Sequence, residues 1–260
     1  MSVATEISRI QSAKTDIKDA IEAKGVTVPS SALIDTYADY VEQIPTGGGG
    51  NFDVGVSYSN HTIPSAAYSG KSVTNVVIGD DVASVSYGAF SACTNLTEVY
   101  IGSGVTTIVG SAFRDTRNVT SITFSDNSSL EAIGGSGSTA NTSTSVRAFS
   151  NVNTQSPAVL EIDFPEGLTL IGHSSFVTAT GIKRLSFPST VTWIGNECFR
   201  GLTGCESITF NSTTPPTLGG SGRWFEDTTC DIFVPAACLE AYKTAENWEN
   251  YSSQIKAIQS

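Results

Sequence analysis

Residues 96–113 read LTEVYIGSGVTTIVGSAF, and the apolar positions of this stretch recur along most of the chain. The same spacing is found in VTNVVIGDDVASVSYGAF at 73–90 and in IKRLSFPSTVTWIGNECF at 182–199. Recurrence of one pattern at a fixed period indicates stacked repeats, each contributing a strand to the stack. The first apolar residues of six units are Val73, Leu96, Val119, Val159, Ile182 and Cys205, and the phenylalanines that close them are Phe90, Phe113, Phe149, Phe176, Phe199 and Phe225.

One interval between units is longer than the others. Unit starts are separated by 23 residues, except for the 40 residues between Val119 and Val159. Most of the excess lies in residues 135–146, GSGSTANTSTSV, which predict a polar loop that leaves the stack. Such a loop on a rigid scaffold can carry recognition, and a mobile decoration is the alternative.

The ends of the array predict caps. Ile63 and Tyr68 keep the spacing of a degenerate first unit within residues 52–235. Residues 236–260 predict a C-terminal capping helix, because the last repeat must cover its open apolar face. The inner face of that helix is expected to carry Leu239, Tyr242 and Trp248.

Residues 1–44 predict a segment of two amphipathic helices ahead of the repeats. Pro29 separates the helices and Pro45 ends the second, and residues 45–51 contain four glycines that predict a flexible linker. Two short helices bury little apolar surface alone, so an attachment and homo-oligomerisation role is expected. A hairpin folded back on the repeats is the alternative. The apolar faces consist of Ile7, Ile10, Ile17, Ile21, Ile34, Tyr37, Val41 and Ile44.

The composition excludes several classes of partner. Charged residues make up only 15% of the chain, while 35 Ser and 31 Thr supply most of the polarity. The net charge of −11 argues against nucleic acid and anionic membrane surfaces. The absence of an 18-residue apolar run predicts no membrane insertion, and the polar start of the chain predicts no secretory signal.

Patterns that would indicate chemistry are weak. Gly70-Lys71-Ser72 lacks the first glycine of a phosphate-binding loop and precedes a predicted strand. The five cysteines lack the paired spacing of zinc ligands, and His61 and His173 fall in different units. We therefore expect no catalytic residue, metal or cofactor, and no enzyme activity. The alternative of a carbohydrate-active enzyme would require two converging carboxylates.

The stretch AFSACTNLTEVYIGSGVTTIVGSAF, residues 89–113, resembles the BspA-like class of leucine-rich repeats, with their AF-x-x-C-x-x-L-x-x-I-x-I consensus. The resemblance covers about residues 60–235. It implies an α/β repeat solenoid, right-handed, with a parallel sheet on one side, of a kind usually displayed at surfaces for adhesion. Thr116, Ala179 and Leu202 replace the cysteine of the consensus, so no ligand site is carried over from the family.

The helical segment carries a second resemblance. Residues 13–44 resemble a short helical module found at the start of bacteriophage and prophage tail and fibre proteins. This implies a virion-associated protein that binds other virion structural proteins, and itself, through residues 1–44. The alternative is a bacterial cell-surface adhesin.

Ligand-binding residues are expected on the outer face of the repeats. The residue between the last two apolar positions of each strand must point outward, which selects Tyr100, Thr123 and Asp163. Arg184, Trp193 and Trp224 have side chains suited to stacking or forked contacts with a host-surface protein or glycan. The alternative for Trp193 and Trp224 is packing within turns. The complete predicted set is Tyr100, Thr123, Asp163, Arg184, Trp193 and Trp224.

Overall fold

A computed structural model describes residues 11, 14–15, 17–18, 51–54, 61–134, 146–220 and 222–259, with only the backbone of 51–54. The chain divides into two compact units, Met1–Gly49 and Gly50–Ser260. In the first unit the described residues are helical, and Ile17 among them is 45% exposed. The rest of the predicted two-helix segment and most of the 45–51 linker lie outside the described residues. These are the positions of Ile7, Ile10, Ile21, Ile34, Tyr37, Val41 and Ile44.

The second unit is a solenoid of parallel strands, as the repeat predicts. Each repeat contributes a long strand, in which alternate residues are buried, and then a short strand of two residues. The long strands form a four-stranded sheet in the order β1-β3-β5-β7 and a five-stranded sheet in the order β16-β15-β13-β11-β9. They are β1 (Asn51–Val54), β3 (Asn75–Ile78), β5 (Glu98–Ile101), β7 (Ser121–Phe124), β9 (Leu160–Asp163), β11 (Ile182–Phe187), β13 (Ser207–Phe210), β15 (Asp231–Val234) and β16 (Ile255–Ala257).

The prediction of a sheet on one side only is incomplete. Each long strand is followed by a second run of extended chain that contains a buried aliphatic residue, such as Val85 after β3 or Ile108 after β5. Stacking gives this run a partner strand above and below. A continuous seven-stranded sheet results, in the order β14-β12-β10-β8-β6-β4-β2. Its strands are β2 (Thr62–Ile63), β4 (Ser84–Val85), β6 (Thr107–Ile108), β8 (Ala132–Ile133), β10 (Leu170–Ile171), β12 (Trp193–Ile194) and β14 (Thr217–Leu218).

A column of stacked aromatic rings runs through the core. Phe90 lies on Phe113 with ring centroids 5.3 Å apart, and Phe113 lies on Phe149 at 5.3 Å, both nearly parallel. Neighbouring strands are spaced by about 4.8 Å, so equivalent rings of successive units meet in van der Waals contact. The six predicted phenylalanines are confirmed as core, and Tyr68 extends the column as the predicted first unit requires.

The turns account for the abundance of hydroxyl and small polar residues. Threonines beside the strands donate their hydroxyls to a carbonyl one unit earlier, as in Thr120 to Thr97 at 3.3 Å and Thr192 to Thr169 at 3.2 Å. The residues two places before and after most core phenylalanines have positive φ, for example Ser174 and Thr178 around Phe176. Left-handed positions favour Gly, Asn and Asp over bulky residues, and in this chain Arg147, Glu197 and Arg223 also occupy them.

The C-terminal cap differs from the predicted single helix. Helix α1 spans only Leu239–Thr244, flanked by 3₁₀ turns at Ala236–Cys238 and Trp248–Tyr251, and the chain then adds β16 beside β15. A short helix suffices because two bulky residues close the core. Of the predicted inner residues, Tyr242 and Trp248 are fully buried and Leu239 is half-buried.

The cap provides a test of stability. Trp248 packs edge-on against Phe210 and Tyr242, and its Nε1 donates to the Pro216 carbonyl at 2.8 Å. We expect Trp248→Ala to lower the free energy of unfolding by about 3–5 kcal/mol in urea titrations. The control Tyr87→Ala removes a ring that is 56% exposed and should have little effect. Equal losses in both variants would contradict the structure of the cap.

Candidate binding surface

The outward residues of the long strands form an exposed row. Tyr100 of β5 is paired with Thr123 of β7, and across the next sheet Asp163 of β9 is paired with Ser186 of β11. Tyr100 is 38% exposed, a large value for an aromatic side chain. The three residues predicted from alternation are therefore outward-facing on the long strands.

Arg184 also lies on a long strand, within an ion cluster. Its guanidinium is 2.8 Å from Glu161, and Lys183 approaches the other oxygen of the same carboxylate at 3.1 Å. The hydrogen bond from Lys183 lowers the pKa of Glu161, and the same bond raises the pKa of Lys183. Arg184 thus forms an ion pair within the chain through one guanidinium nitrogen while its side chain is 48% exposed, and its role in ligand binding stays a prediction.

The two predicted tryptophans lie elsewhere. Trp193 is in β12 of the seven-stranded sheet, half-buried, with its ring edge-on to His173 at 5.4 Å. It also lies against Gly219, where a Cβ would be 2.5 Å from the ring. Trp224 is 4% exposed and donates its Nε1 to the Gly219 carbonyl at 2.9 Å. The ring of Trp224 thus packs in a turn, which is the alternative stated for it above, and little of it is exposed for contact with a ligand.

The row of long strands is interrupted between β7 and β9. No ladder joins these strands, although β8 of the same unit pairs with both β6 and β10. The interruption falls within the long interval between units, from Val119 to Val159. The rings of Phe124 and Phe164 show the same change, since they are tilted by 50° at 5.6 Å.

The pairing of β9 with β11 is irregular at its start, because the register shifts between Ile182 and Arg184. Further along, Ile162 keeps its regular partner Leu185. Spacing predicts Val159 as the inward partner of Ile182, but Leu160 takes that position and is fully buried. The prediction for Val159 is wrong, and its side chain is 46% exposed. The predicted polar insertion 135–146 lies outside the described residues except for Val146. That residue is buried and accepts a hydrogen bond from Ser111, so it belongs to the repeat.

A groove of about 700 Å³ lies at this interruption. That volume is within the range of ligand sites, roughly 300–1,000 Å³. The predicted residues Thr123 and Asp163 both line the groove, whereas Tyr100 lies one strand away from it on β5. The other residues that line the groove were not predicted from the sequence. The feature of the sequence that points to them is the interval of 40 residues between Val119 and Val159. The lining consists of Thr120, Ser121, Ile122, Thr123, Phe124, Ser125, Asp126, Val159, Glu161, Asp163, Pro165 and Glu166.

The charge of the groove has one sign. Four carboxylates line it, and no Lys or Arg is among the lining residues. Glu161 is paired with Lys183 and Arg184 at the rim, and Glu166 accepts hydrogen bonds from Ser189. Asp126 and Asp163 are the carboxylates that remain for a ligand. The arrangement can accept hydrogen bonds and attract positive charge.

Two buried cysteines of the described part are poorly suited to act as nucleophiles. Burial raises the pKa of Cys93 to about 11 and that of Cys198 well above its ordinary value, which disfavours the nucleophilic thiolate. Within the described ranges, no three His, Cys, Asp or Glu side chains are grouped so that they could hold a metal ion. No helix of the described part is long and apolar enough to cross a membrane.

Stacked parallel strands with a 23-residue period and an aromatic column define a repeat-solenoid protein. Six copies of the BspA type leucine-rich repeat region match residues 61–156 and 139–219, which together exceed half of the chain. The chain belongs to this family. The match does not include residues 13–44, so the resemblance of that segment to phage tail and fibre modules gains no support from it.

Solved structures of leucine-rich repeat proteins are similar to the chain. The T. pallidum protein TpLRR shares 16% identity, with 76% of this chain and 78% of that chain covered and a TM-score of 0.47. A Bacteroides ovatus protein shares 17% over 76% and 65%, at 0.39. A leucine-rich cell surface protein from Faecalibacterium prausnitzii shares 14% over 72% and 80%, at 0.28. No curated protein matches the sequence.

The ion cluster at the groove rim predicts a measurable pKa change. In Lys183→Met, the carboxyl of Glu161 loses its strongest stabilising hydrogen bond, so its pKa should rise towards the ordinary value. Carbon-13 NMR titration of the side-chain carboxyls measures the change. The control Lys256→Met removes a similar pair with Asp231, 2.7 Å long, and should leave Glu161 unaffected. An unaltered titration of Glu161 in Lys183→Met would show that the cluster does not form in solution.

Proposed function

We propose that the protein is a non-enzymatic recognition protein of a bacterial cell surface, which binds a host-surface protein or glycan through its long-strand face. The observation that carries the proposal is an open groove interrupting an exposed row of residues, in a chain of the BspA type repeat family. Such repeats are usually displayed at surfaces for adhesion. A rigid stack presenting an exposed groove suits binding, because the partner meets a preformed site.

The electrostatics of the face favour a protein partner with a basic surface. Asp126 and Asp163 present carboxylates without an opposing cation in the groove lining, and the whole chain carries a net charge of −11. Complementary charge speeds association and disfavours wrong partners. Tyr100 beside the groove supplies an aromatic surface, which would suit either a protein side chain or the apolar face of a sugar.

The virion-associated role expected from residues 13–44 becomes the less favoured proposal. It rests on the helical pattern of the N-terminal segment alone, whereas the repeat family supports surface display. Fractionation of the source culture separates the two roles. Recovery with the cell envelope would support surface display, and recovery with purified phage particles would overturn it.

Tyr100 provides a test of the binding face. We expect the full chain to bind members of a panel of immobilised matrix proteins and glycans, and Tyr100→Ala to weaken that binding about tenfold, as for an aromatic anchor. Surface plasmon resonance gives both dissociation constants. Tyr87→Ala is the matched control, because Tyr87 is an exposed tyrosine that follows β4 of the other sheet. Equal weakening by both variants would place binding outside this face.

The groove is tested separately. The double variant Asp126→Asn and Asp163→Asn should weaken binding to a protein ligand about threefold to tenfold, with the salt dependence of the dissociation constant reduced. Glu98→Gln removes one charge from the same face outside the groove and should have a smaller effect. If the double variant retains full affinity while Tyr100→Ala loses it, the ligand is held by the face without the groove.

The role of residues 1–44 stays a prediction. Deleting them should convert a homo-oligomer to a monomer, because their apolar faces are expected to form the contacts between copies. Light scattering on the full chain and on the deletion variant measures the two masses. Equal numbers of subunits in both would contradict an attachment role through self-association.

A further inference from the structure

Two buried cysteines lie at the start of neighbouring strands in the last units of the solenoid. Cys205 precedes β13 and Cys230 precedes β15, the neighbouring strand of the same sheet. Both cysteines are buried. Cys205 lies two residues before Ser207 and Cys230 one residue before Asp231, and Ser207 and Asp231 are paired in the ladder. The Cys205 thiol donates to the Ser207 carbonyl at 3.4 Å, and the interaction with the Cys230 side chain, together with burial, raises the pKa of Cys205.

The other cysteines of the chain lack such a neighbour. Cys93 donates to the carbonyl of Tyr68, and the buried thiol of Cys198 interacts with the backbone of Ser175 and Phe176. Cys238 is half-buried at the start of the cap. All five are free thiols in the structure, and Cys205 and Cys230 are the two that closely precede neighbouring strands of one sheet.

We propose that Cys205 and Cys230 form a disulfide bond that fastens the C-terminal cap to the repeats when the protein folds under oxidising conditions. The cysteines lie at the start of neighbouring paired strands, so their backbones are about one strand spacing apart, roughly 5 Å, which is within the Cα separation that a disulfide spans. Cys230 lies next to the cap, since Gln254 donates its side-chain amide to the carbonyls of Thr228 and Cys230. The bond would join this region to β13.

The reaction is thiol–disulfide exchange with a small-molecule or protein disulfide as oxidant. The thiolate of one cysteine attacks the incoming disulfide and displaces one thiol, which forms a mixed disulfide. The thiolate of the second cysteine then attacks the protein sulfur of that mixed disulfide and releases the other thiol. Two protons and two electrons leave the protein, and the oxidant is reduced to two thiols.

The environment of the two thiols determines when the disulfide can form. The interaction with the Cys230 side chain, together with burial, raises the pKa of Cys205, so the attacking thiolate is scarce in the folded protein. Oxidation is expected to be slow once the last units have closed. Oxidation should be efficient during folding, while the thiols are still accessible and the last repeats bring them close together.

The test is refolding of the full chain in a mixture of oxidised and reduced glutathione, followed by alkylation and mass spectrometry. We expect a loss of about 2 Da, for two hydrogens, and a link between the tryptic peptides 201–223 and 224–243. The second peptide holds both Cys230 and Cys238, so Cys238→Ser should retain the link and Cys205→Ser should abolish it. The oxidised form should melt roughly 5–15 °C higher than the form treated with dithiothreitol.

The contrary outcomes are equally specific. A link to Cys238, or glutathione adducts without an intramolecular link, would overturn the proposal. So would an oxidised form that melts below the reduced one, because the bond would then strain the rungs. The inference is independent of the proposed function, since the bond can form in a protein that fails every binding test.

Discussion

The structure depends on the constant separation of successive repeats, each of which forms one rung of the solenoid. Parallel backbone ladders fix neighbouring strands about 4.8 Å apart, and this spacing brings each phenylalanine ring onto the next. Phe90, Phe113 and Phe149 lie at 5.3 Å steps in this column. A residue inside the stack must therefore match the residues above and below it. The requirement explains why the apolar positions recur in register and why Thr and small turn residues fill most of the remaining positions.

The same constraint explains the groove. Rungs stay in contact where the chain returns after 23 residues, and the extra residues between Val119 and Val159 disturb that return. The seven-stranded sheet remains continuous, because β8 pairs with both β6 and β10. The long-strand sheets separate at β7 and β9, and Leu160 replaces Val159 in the core. The candidate binding site is thus a consequence of irregularity in an otherwise repetitive molecule.

Much of the fold could be predicted because period and burial are linked. The phenylalanine column, the outward row with Tyr100, and the closing roles of Tyr242 and Trp248 were readable from spacing. The site was predicted only in part, since Thr123 and Asp163 belong to the groove whereas Trp224 is core. A tryptophan in a turn gives no sign of which way its ring points, because that depends on neighbours such as the Gly219 carbonyl.

The sequence by itself determined the repeat, its 23-residue period and the inward positions of the strands, because these follow from alternation and recurrence along the chain. It also determined the acidic balance and the low density of charge. The tertiary structure decided which residues of successive repeats lie together. It formed the second sheet, the break in the ladder between β7 and β9, the ion cluster around Glu161 and the neighbouring positions of Cys205 and Cys230. Each depends on the offset between successive rungs, which no single unit of the sequence contains.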